Sequence, residues 1–334
     1  MSEANPLSPA AVAPPVQSAQ KSMRLMNFVY DYGIIIAFVA LCAVLAISNE
    51  YFFTTKNIVN VLRQTSINGI LALGMTLVIL TKGIDLSVGS VLALSGIITA
   101  SLVHGPDPTP AALAVFAGLG VGLACGMVNG LVIARLGVPP FVATLGMLSV
   151  ARGLTYIYSD GMPIAGLSQA FLWIGQGRFL NIPIPVFFFA GVFILLWVLL
   201  NKTTFGRYIY AVGGSEKSAK TAGIGTKKVL VAAYALAGML AGLGGLILTA
   251  RTTTGLPQAG VSYELDAIAA VVIGGTSLSG GIGTVRGTLF GALIIGVINN
   301  GLDLMGVSSF YQQVVKGVII VCAVLLDPAR RTRD

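Results

Sequence analysis

The stretch Thr81-Lys82-Gly83-Ile84-Asp85-Leu86-Ser87-Val88-Gly89-Ser90 decides how this chain folds, because it interrupts two apolar runs at residues 67–81 and 87–103. It places an acid, hydroxyl groups and glycine between segments that are short for a membrane crossing of about 20 residues. Irregular backbone at membrane depth is tolerated only where it is buried in protein or lines a cavity. The stretch is therefore either a broken helix whose polar residues line a pathway, or a plain cytoplasmic turn. Ser87 could also cap the next helix, whose positive end Asp85 would favour.

The composition around this stretch is that of an integral membrane protein. Of 334 residues, 55% are hydrophobic, 10% are charged and 42 are glycine, whereas a soluble domain carries about 25% charged residues. So few charges cannot cover a water-soluble body of this size, and we expect the exposed surface to face lipid. The net charge of +8 is spread over short loops and the ends of apolar runs, which is a membrane topology signal and not a nucleic-acid-binding one.

Ten apolar segments predict an all-α fold, a polytopic membrane helix bundle of about ten transmembrane helices with inverted repeats and short broken helices. The segments lie at residues 31–48, 67–81, 87–103, 111–134, 139–157, 182–200, 229–250, 264–275, 285–301 and 309–326. Ten crossings put both termini on one side. A cytoplasmic location for them leaves fourteen Lys and Arg inside and only four outside, Lys56, Arg63, Arg178 and Arg251, as the positive-inside rule requires.

This topology divides the chain into three parts. Residues 1–26 are a Pro-, Ala- and Ser-rich cytoplasmic N-terminus that we expect to be disordered. Residues 27–327 form the transmembrane domain, which includes the cytoplasmic loop 201–228, and residues 328–334 form a cytoplasmic tail. The outside segment 49–66 alternates aromatic, Asn and charged residues, which predicts an amphipathic helix on the outer surface.

Two further irregular segments and a short internal repeat indicate a pathway for a solute. Segment 255–266 ends in two acids, and segment 274–284 holds five glycines and four hydroxyl side chains. Asn129-Gly130-Leu131 recurs as Asn300-Gly301-Leu302, the first inside and the second outside, which is either an inverted repeat or a chance similarity. The repeat would pair the Asp85 turn with the Glu264 region. The candidate pathway residues are Asp85, Ser87, Asn129, Glu264, Ser277, Ser279, Asn299 and Asn300.

Several isolated polar residues leave two interpretations open. The asparagines 129, 299 and 300 either line the pathway or form hydrogen bonds between neighbouring helices. Arg152 and Lys316 lie within predicted spans and either snorkel to the outer interface or face the interior of the bundle.

The sequence offers no constellation for catalysis, for a metal or for a cofactor. It contains one His, and its three cysteines are isolated in apolar segments, which leaves neither a zinc site nor a nucleophilic site. It also lacks the Gly-x-x-x-x-Gly-Lys-Ser/Thr motif that cradles nucleotide phosphates. We therefore expect a protein that is not itself an enzyme.

The loop 201–228 contains a segment suited to docking on another protein. Ser215 follows two glycines and can cap a short helix that ends at Gly223. Such a helix carries little apolar surface and cannot bury itself, so it suits insertion into a groove on a partner. An ordinary solvated hairpin is the alternative.

Long ordered stretches of the chain resemble the membrane permeases of bacterial ABC importers for monosaccharides, of the ribose type. They run from about residue 50 to 327 and include 75–81, 83–90, 205–211, 263–272, 274–278 and 299–302. The resemblance implies a homodimer in the bacterial inner membrane, a cytoplasmic ATPase that hydrolyses ATP for it, and an extracytoplasmic sugar-binding protein. It also implies that the ATPase seats on the coupling helix, at Gly213, Gly214, Ser215, Glu216, Ala219, Gly223 and Ile224.

We expect alternating access driven by the partner ATPase to carry ribose or a related pentose or hexose across the membrane. The alternative is an ion-coupled secondary sugar transporter in which Asp85 or Glu264 is the coupling carboxylate. The docking helix disfavours that alternative, because a self-contained carrier has no use for it.

Overall fold

The computed structural model describes residues 33–325, and in this range the chain is a helix bundle with a short β-hairpin. The helices are α1 (Gly33–Ser48), α2 (Thr55–Leu80), α3 (Val88–Leu102), α4 (Ala111–Leu136), α5 (Pro140–Ser159), α6 (Gln169–Gln176), α7 (Ile184–Lys202), α8 (Thr204–Gly214), α9 (Glu216–Thr221), α10 (Thr226–Thr252), α11 (Tyr263–Ile273), α12 (Val285–Leu304) and α13 (Ser309–Leu325). Strands β1 (Arg178–Phe179) and β2 (Ile182–Pro183) pair antiparallel between α6 and α7. The predicted helical class is confirmed for these residues. The predictions for 1–26 and 328–334 concern residues outside the described range.

Six of the described helices are long and apolar enough to cross a membrane, namely α2, α4, α5, α7, α10 and α12. Each of the ten predicted apolar segments falls on a helix, but four of them fall on the shorter helices α1, α3, α11 and α13. A multi-pass membrane protein is therefore confirmed, and the number of ten crossings stays a prediction.

Helix α2 is one continuous element of 26 residues, so the prediction of a separate surface helix at 49–66 is wrong. The helix begins after Thr54, whose Oγ1 accepts a hydrogen bond from the Asn57 N–H over 3.3 Å. Neither Gly nor Pro occurs between Thr55 and Asn68, so the sequence contains no residue that would break the helix there. Residues 65–80 are all buried, which makes α2 a central helix of the bundle.

Glycine lets α4 and α10 approach to backbone contact beside α2. A Cβ atom added to Gly122 would overlap the carbonyl oxygen of Gly238, and a Cβ atom on Gly238 would overlap that of Gly122. Small residues allow this approach in lipid, where close backbone packing drives helix association. The contact places Asn129 of α4 and Tyr234 of α10 against the turn that follows α2.

Helices α3 and α11 are short, and an irregular segment precedes each of them. Lys82, with φ of 65°, lies in the turn before α3, and Ser262, with φ of 68°, directly precedes α11. The two helices meet near their N-termini, because a Cβ atom on Gly89 would overlap the Gly260 carbonyl oxygen. Segment 83–90 is buried to half-buried throughout, so it is not an exposed surface turn.

Candidate translocation pathway and coupling site

The carboxylate of Asp85 organises the turn between α2 and α3. Asp85 is 1% exposed, and its Oδ1 accepts hydrogen bonds from the Ser87 N–H over 2.9 Å and from the Ser87 hydroxyl over 2.6 Å. Asn129 on α4 donates its Nδ2 to the Ser87 Oγ over 3.0 Å. The Ser87 side chain forms no cap on α3, because it donates to Asp85 instead. Three predicted pathway residues thus form one buried network that fixes this turn.

Tyr234 of α10 packs against the same turn. Gly83 leaves room for its hydroxyl, since a Cβ atom at Gly83 would overlap the Tyr234 Oη. Tyr234 is fully buried, and its hydroxyl has no hydrogen-bond partner within the described part of the chain. No pattern in the sequence marks this residue, because a tyrosine within an apolar run looks like any other core residue.

A second buried acid, Asp266 on α11, joins four helices. Its Oδ2 accepts hydrogen bonds from Lys316 on α13 over 2.8 Å, from Asn299 on α12 over 3.3 Å and from Asn68 on α2 over 3.5 Å. Lys316 and Asp266 form an ion pair in which their side chains are 17% and 2% exposed. Lys316 therefore faces the interior of the bundle and does not snorkel.

Glu264 lies where the two short helices meet. It is half-buried, and its Oε2 would lie 2.5 Å from a Cβ atom on Gly89. Arg152 of α5 donates its Nη1 to the carbonyl oxygens of Pro257 and Ala259 over 2.7 and 2.9 Å. Arg152 thus also faces the interior, where it holds the segment before α11, and its positive charge acts on the Glu264 carboxylate.

Asn300 joins α12 to the first turn of α2. Its Nδ2 donates to the Asn57 Oδ1 over 2.8 Å, and the Asn57 Nδ2 donates back to the Asn300 Oδ1 over 2.9 Å. Both residues are buried. For Asn300 the structure therefore shows hydrogen bonding between neighbouring helices.

The glycine-rich loop 274–284 connects α11 to α12, and two of its serines form hydrogen bonds to other residues of the same loop. The Ser277 N–H donates to the Ile282 carbonyl over 2.9 Å, and the Ser279 N–H donates to the Ser277 Oγ over 3.1 Å. Ser277 is buried, whereas Ser279 is exposed. Gly280 and Gly281 follow with φ of 77° and 74°, a backbone conformation that favours glycine.

Three distant segments meet where α8 ends, and we name this meeting point the three-segment contact. The Gly281 N–H donates to the Leu80 carbonyl oxygen over 3.0 Å, and the Lys82 Nζ donates to the Gly214 carbonyl oxygen over 3.2 Å. Gly213 has no room for a side chain, because a Cβ atom there would overlap the Leu80 carbonyl oxygen. The end of α8 thus touches both the end of α2 and the loop that precedes α12.

The predicted short helix in the loop 201–228 is present as α9. The Ser215 Oγ accepts a hydrogen bond from the Ser218 N–H over 3.2 Å at its start. At its end, Gly223 has a φ of 82°, and the Ile224 N–H donates to the Ala219 carbonyl oxygen over 3.0 Å. The prediction that Ser215 caps this helix is confirmed. The helix itself ends at Thr221, with Ala222 as its C-cap, and Gly223 forms the left-handed turn just beyond it.

Helix α9 has polar side chains on its exposed face and one buried side chain, Ala219, on its inner face. Glu216 and its neighbours Lys217, Ser218 and Lys220 are exposed, whereas Ala219 is buried. The helix α8 before it was not predicted, and it adds a further tie, since the Tyr210 hydroxyl donates to the Gly283 carbonyl oxygen over 3.0 Å. Helices α8 and α9 together combine a polar outer face with direct backbone contacts to the membrane-embedded part.

The structure does not bring the eight predicted pathway residues into one site. It places them in the Asp85 network, the Asp266 cluster, the Glu264 junction, the Asn57–Asn300 pair and the loop 274–284. Their role in the pathway stays a prediction. Asp266 was not among the predicted pathway residues, although it is buried and Glu264 only half-buried; both acids end the same irregular segment, and no local pattern separates them.

The comparisons with known proteins assign the class. A family model described as "Branched-chain amino acid transport system / permease component" matches residues 57–324. The chain therefore belongs to this family of ABC importer permeases, which are transporter subunits and not enzymes. Membership in it rules out the alternative of an ion-coupled carrier.

Within this class the chain is similar to permeases for monosaccharides, which confirms the resemblance seen in the sequence. It is 51% identical over 315 residues to the ribose import permease protein of Bacillus subtilis (strain 168), covering 93% of this chain and 97% of that protein. It is 40% identical to the D-allose transport system permease protein of Escherichia coli (strain K12), covering 93% and 95%. It is 35% identical to the galactose/methyl galactoside import permease protein of the same organism, covering 95% and 99%. None of the solved structures matches the chain.

Proposed function

We propose that this chain is the permease subunit of a bacterial ATP-driven importer, through which ribose or a related pentose or hexose crosses the inner membrane. The three-segment contact is the observation that carries this proposal. It joins α9, a small polar helix suited to docking on a cytoplasmic ATPase, to the turn before the short helix α3 and to the loop after the short helix α11. A displacement of α9 would therefore reach both sides of the pathway at once.

The charges inside the bundle favour an uncharged sugar over the amino acids in the family description. A zwitterion needs partners for both an ammonium group and a carboxylate, because desolvating an unpaired charge is costly. Asp85 is occupied by Ser87, and Asp266 is occupied by Lys316. The half-buried Glu264 carboxylate has the positive charge of Arg152 nearby. Hydroxyl, amide and backbone groups remain, and these suit transient hydrogen bonds to a polyol. Weak contacts also allow release, which a conduit requires.

The proposed mechanism is alternating access. ATP binding closes the partner ATPase, which pushes α9, and the three-segment contact passes this displacement to α2 and to the loop before α12. The sugar then passes from the outer binding protein between two rocking permeases. In the described conformation Glu264 and Ser279 are the accessible members of the predicted pathway set. The other six, Asp85, Ser87, Asn129, Ser277, Asn299 and Asn300, would meet the sugar only when the helices part.

The proposed assembly contains two copies of this chain with the pathway between them, an ATPase and an extracytoplasmic sugar-binding protein. Leu145, Val150 and Leu154 of α5 are 44%, 54% and 47% exposed, and the proposed second copy would cover part of this apolar surface while lipid covers the rest. The ATPase would seat on the segment from Gly213 to Ile224, with Glu216 on its exposed face and Ala219 as its buried anchor.

The proposed topology has ten crossings, with residues 1–26 and 328–334 in the cytoplasm. Two buried acid–amide arrangements support an inverted repeat. Asp85 is joined through Ser87 to Asn129 of α4, and Asp266 is joined directly to Asn299 of α12. Asp266 lies two residues from Glu264, within the region that the repeat pairs with the Asp85 turn, and its partner Asn299 is the neighbour of Asn300, which the repeat aligns with Asn129.

The test is to purify the chain with its ATPase subunit, reconstitute both in lipid and add binding protein loaded with one solute at a time. We expect the rate of ATP hydrolysis to rise with ribose or another pentose or hexose. A rise with leucine, isoleucine or valine and with no sugar would overturn the substrate assignment. A chain that fails to associate with any ATPase would overturn the proposal as a whole.

A further inference from the structure

A cavity of about 340 Å³ lies between the end of α7 and the start of α12. It is on the same side of the bundle as α9, because α8 and α9 follow α7 directly. Two basic side chains from different helices line it, Lys202 in the last turn of α7 and Arg286 in the first turn of α12. The other lining residues are uncharged, namely Trp197, Asn201, Thr284 and Val285. We name this cavity the inner basic pocket.

The two positive charges of the inner basic pocket have no anionic partner among residues 33–325, where the ion pair found is Lys316–Asp266. Lys202 and Arg286 are both exposed, and neither side chain donates a hydrogen bond to a described residue. Arg286 also lies in the first turn of its helix, where the helix dipole disfavours a cation. An anion held between the two side chains would offset both unfavourable effects.

The pocket continues into an apolar strip along α7. Ile194, Val198 and Lys202 are spaced four residues apart, so they lie on one face of the helix, and Ile194 and Val198 are 59% and 40% exposed. Arg286 lies over the Trp197 ring, with its Cζ 5.8 Å from the ring centroid, which is within the range of a cation–π contact. Tryptophan is typical of the boundary between membrane and water. The surface thus combines a basic pocket at that boundary with an apolar strip leading from it.

We infer that the inner basic pocket binds an anionic phospholipid, with its phosphodiester between Lys202 and Arg286 and an acyl chain along Ile194 and Val198. Phosphate oxygens match the donors of a guanidinium group. The apolar strip favours a lipid over a soluble phosphate or an acidic protein surface, because neither of those has an acyl chain to cover it. Under the proposed topology the pocket faces the cytoplasmic leaflet, whose anionic lipids attract Lys and Arg near the surface.

A lipid in this pocket would join α7 to α12 beside the three-segment contact. Thr284, which lines the pocket, follows Gly283, whose carbonyl oxygen accepts a hydrogen bond from the Tyr210 hydroxyl of α8 over 3.0 Å. A headgroup bound to both helices would restrain the start of α12 and, with it, the loop 274–284. The lipid composition of the membrane would thereby act on the contact through which we expect α9 to drive the permease.

The test uses tryptophan fluorescence, because the chain contains only two tryptophans. Trp173→Phe removes the other one, which is 56% exposed on α6, and leaves Trp197 in the pocket as the reporter. The full chain with this substitution is placed in phosphatidylcholine vesicles that contain phosphatidylglycerol, with bromine on the acyl chains of one lipid or the other to quench the tryptophan. We expect at least about a fivefold preference for phosphatidylglycerol at low ionic strength, and a smaller one at high salt.

The double variant Lys202→Gln/Arg286→Gln in the same background should lower this preference to about one, because the pocket then carries no charge. The matched control is Lys227→Gln/Lys228→Gln, which removes the same charge from two exposed side chains at the start of α10, on the same side of the bundle. It should keep the preference, because these lysines do not line the pocket.

Equal quenching by the two lipids in Trp173→Phe, or an equal loss of preference in both double variants, overturns the inference. A preference that survives in Lys202→Gln/Arg286→Gln also overturns it, and a simultaneous loss of co-purification with the ATPase would assign the two charges to an acidic surface of that subunit. Loss of the preference on addition of inorganic phosphate at constant ionic strength would assign the pocket to a soluble phosphate, against the inference. The measurement uses neither ATP nor sugar, so its outcome is independent of the proposed function.

Discussion

Replacing Gly213 by alanine should uncouple ATP hydrolysis from transport. The added methyl group would lie 2.6 Å from the Gly281 nitrogen and closer still to the Leu80 carbonyl oxygen, whereas ordinary van der Waals contact begins at 3.4 Å. The segments must therefore separate by more than about 0.8 Å to restore ordinary contact. The substitution introduces no backbone strain, because the φ of Gly213 is not positive.

The magnitude follows from the contacts that this separation breaks. The hydrogen bond from the Gly281 N–H to the Leu80 carbonyl oxygen is 3.0 Å long, and a lengthening to about 3.8 Å removes it. One such bond contributes about 1 kcal/mol, and overpacking adds about 1–3 kcal/mol. The joined arrangement should lose at least about 2 kcal/mol, which is roughly a thirtyfold shift in its population relative to the separated one.

Sugar uptake and ATP hydrolysis are measured together in proteoliposomes that contain the ATPase and sugar-loaded binding protein. For Gly213→Ala we expect uptake per ATP hydrolysed to fall at least about tenfold, while the ATPase still co-purifies. The matched control is Gly214→Ala, since a Cβ atom on Gly214 meets no atom within 4 Å. Native coupling in Gly213→Ala, or an equal defect in both variants, would refute the reasoning.

Three further predictions concern the buried contacts. Lys316→Met leaves the Asp266 carboxylate without its ion-pair partner and should destabilise the folded bundle by about 3–5 kcal/mol; an unchanged thermal unfolding temperature in detergent would contradict this. Gly122→Ala forces α4 from α10 and should lower that temperature, with a cost of about 1–3 kcal/mol. Its control Gly120→Ala, where no atom lies within 4 Å of the added Cβ atom, should keep the native unfolding temperature. Equal unfolding temperatures for Gly122→Ala and Gly120→Ala would refute the close packing of α4 on α10. Asn129→Leu removes the amide that holds the turn before α3 and should cost about 1–3 kcal/mol; native stability and native uptake together would show that this bond is dispensable.

The sequence predicted those features of the fold that depend on neighbouring residues. Hydropathy located the ten apolar segments, because each is a continuous run, and every one of them falls on a helix. Local capping rules likewise placed α9 between Ser215 and Gly223, where the cap and the left-handed glycine are found. The two interruptions before α3 and α11 were visible as polar and glycine-rich residues between short runs.

The sequence could not predict contacts between distant segments. Asp266 and Lys316 are 50 residues apart, so neither charge indicated its partner, and snorkelling remained open for the lysine. Gly213 and Leu80 meet only because α8 folds back beneath the bundle, which no local pattern specifies. The surface helix at 49–66 was wrong for a related reason. The hydropathy of the sequence falls before residue 67, but its helix propensity does not, so α2 runs without a break from Thr55 to Leu80.

The central claim is that this chain is a conduit that a separate ATPase drives through α9. Its most direct test is uptake of radiolabelled ribose into sealed proteoliposomes, with the permease reconstituted alone or with the ATPase, the binding protein and ATP. We predict accumulation against the gradient only for the complete set, and none for the permease alone under an imposed proton or sodium gradient. Concentrative uptake by the permease alone would contradict the claim.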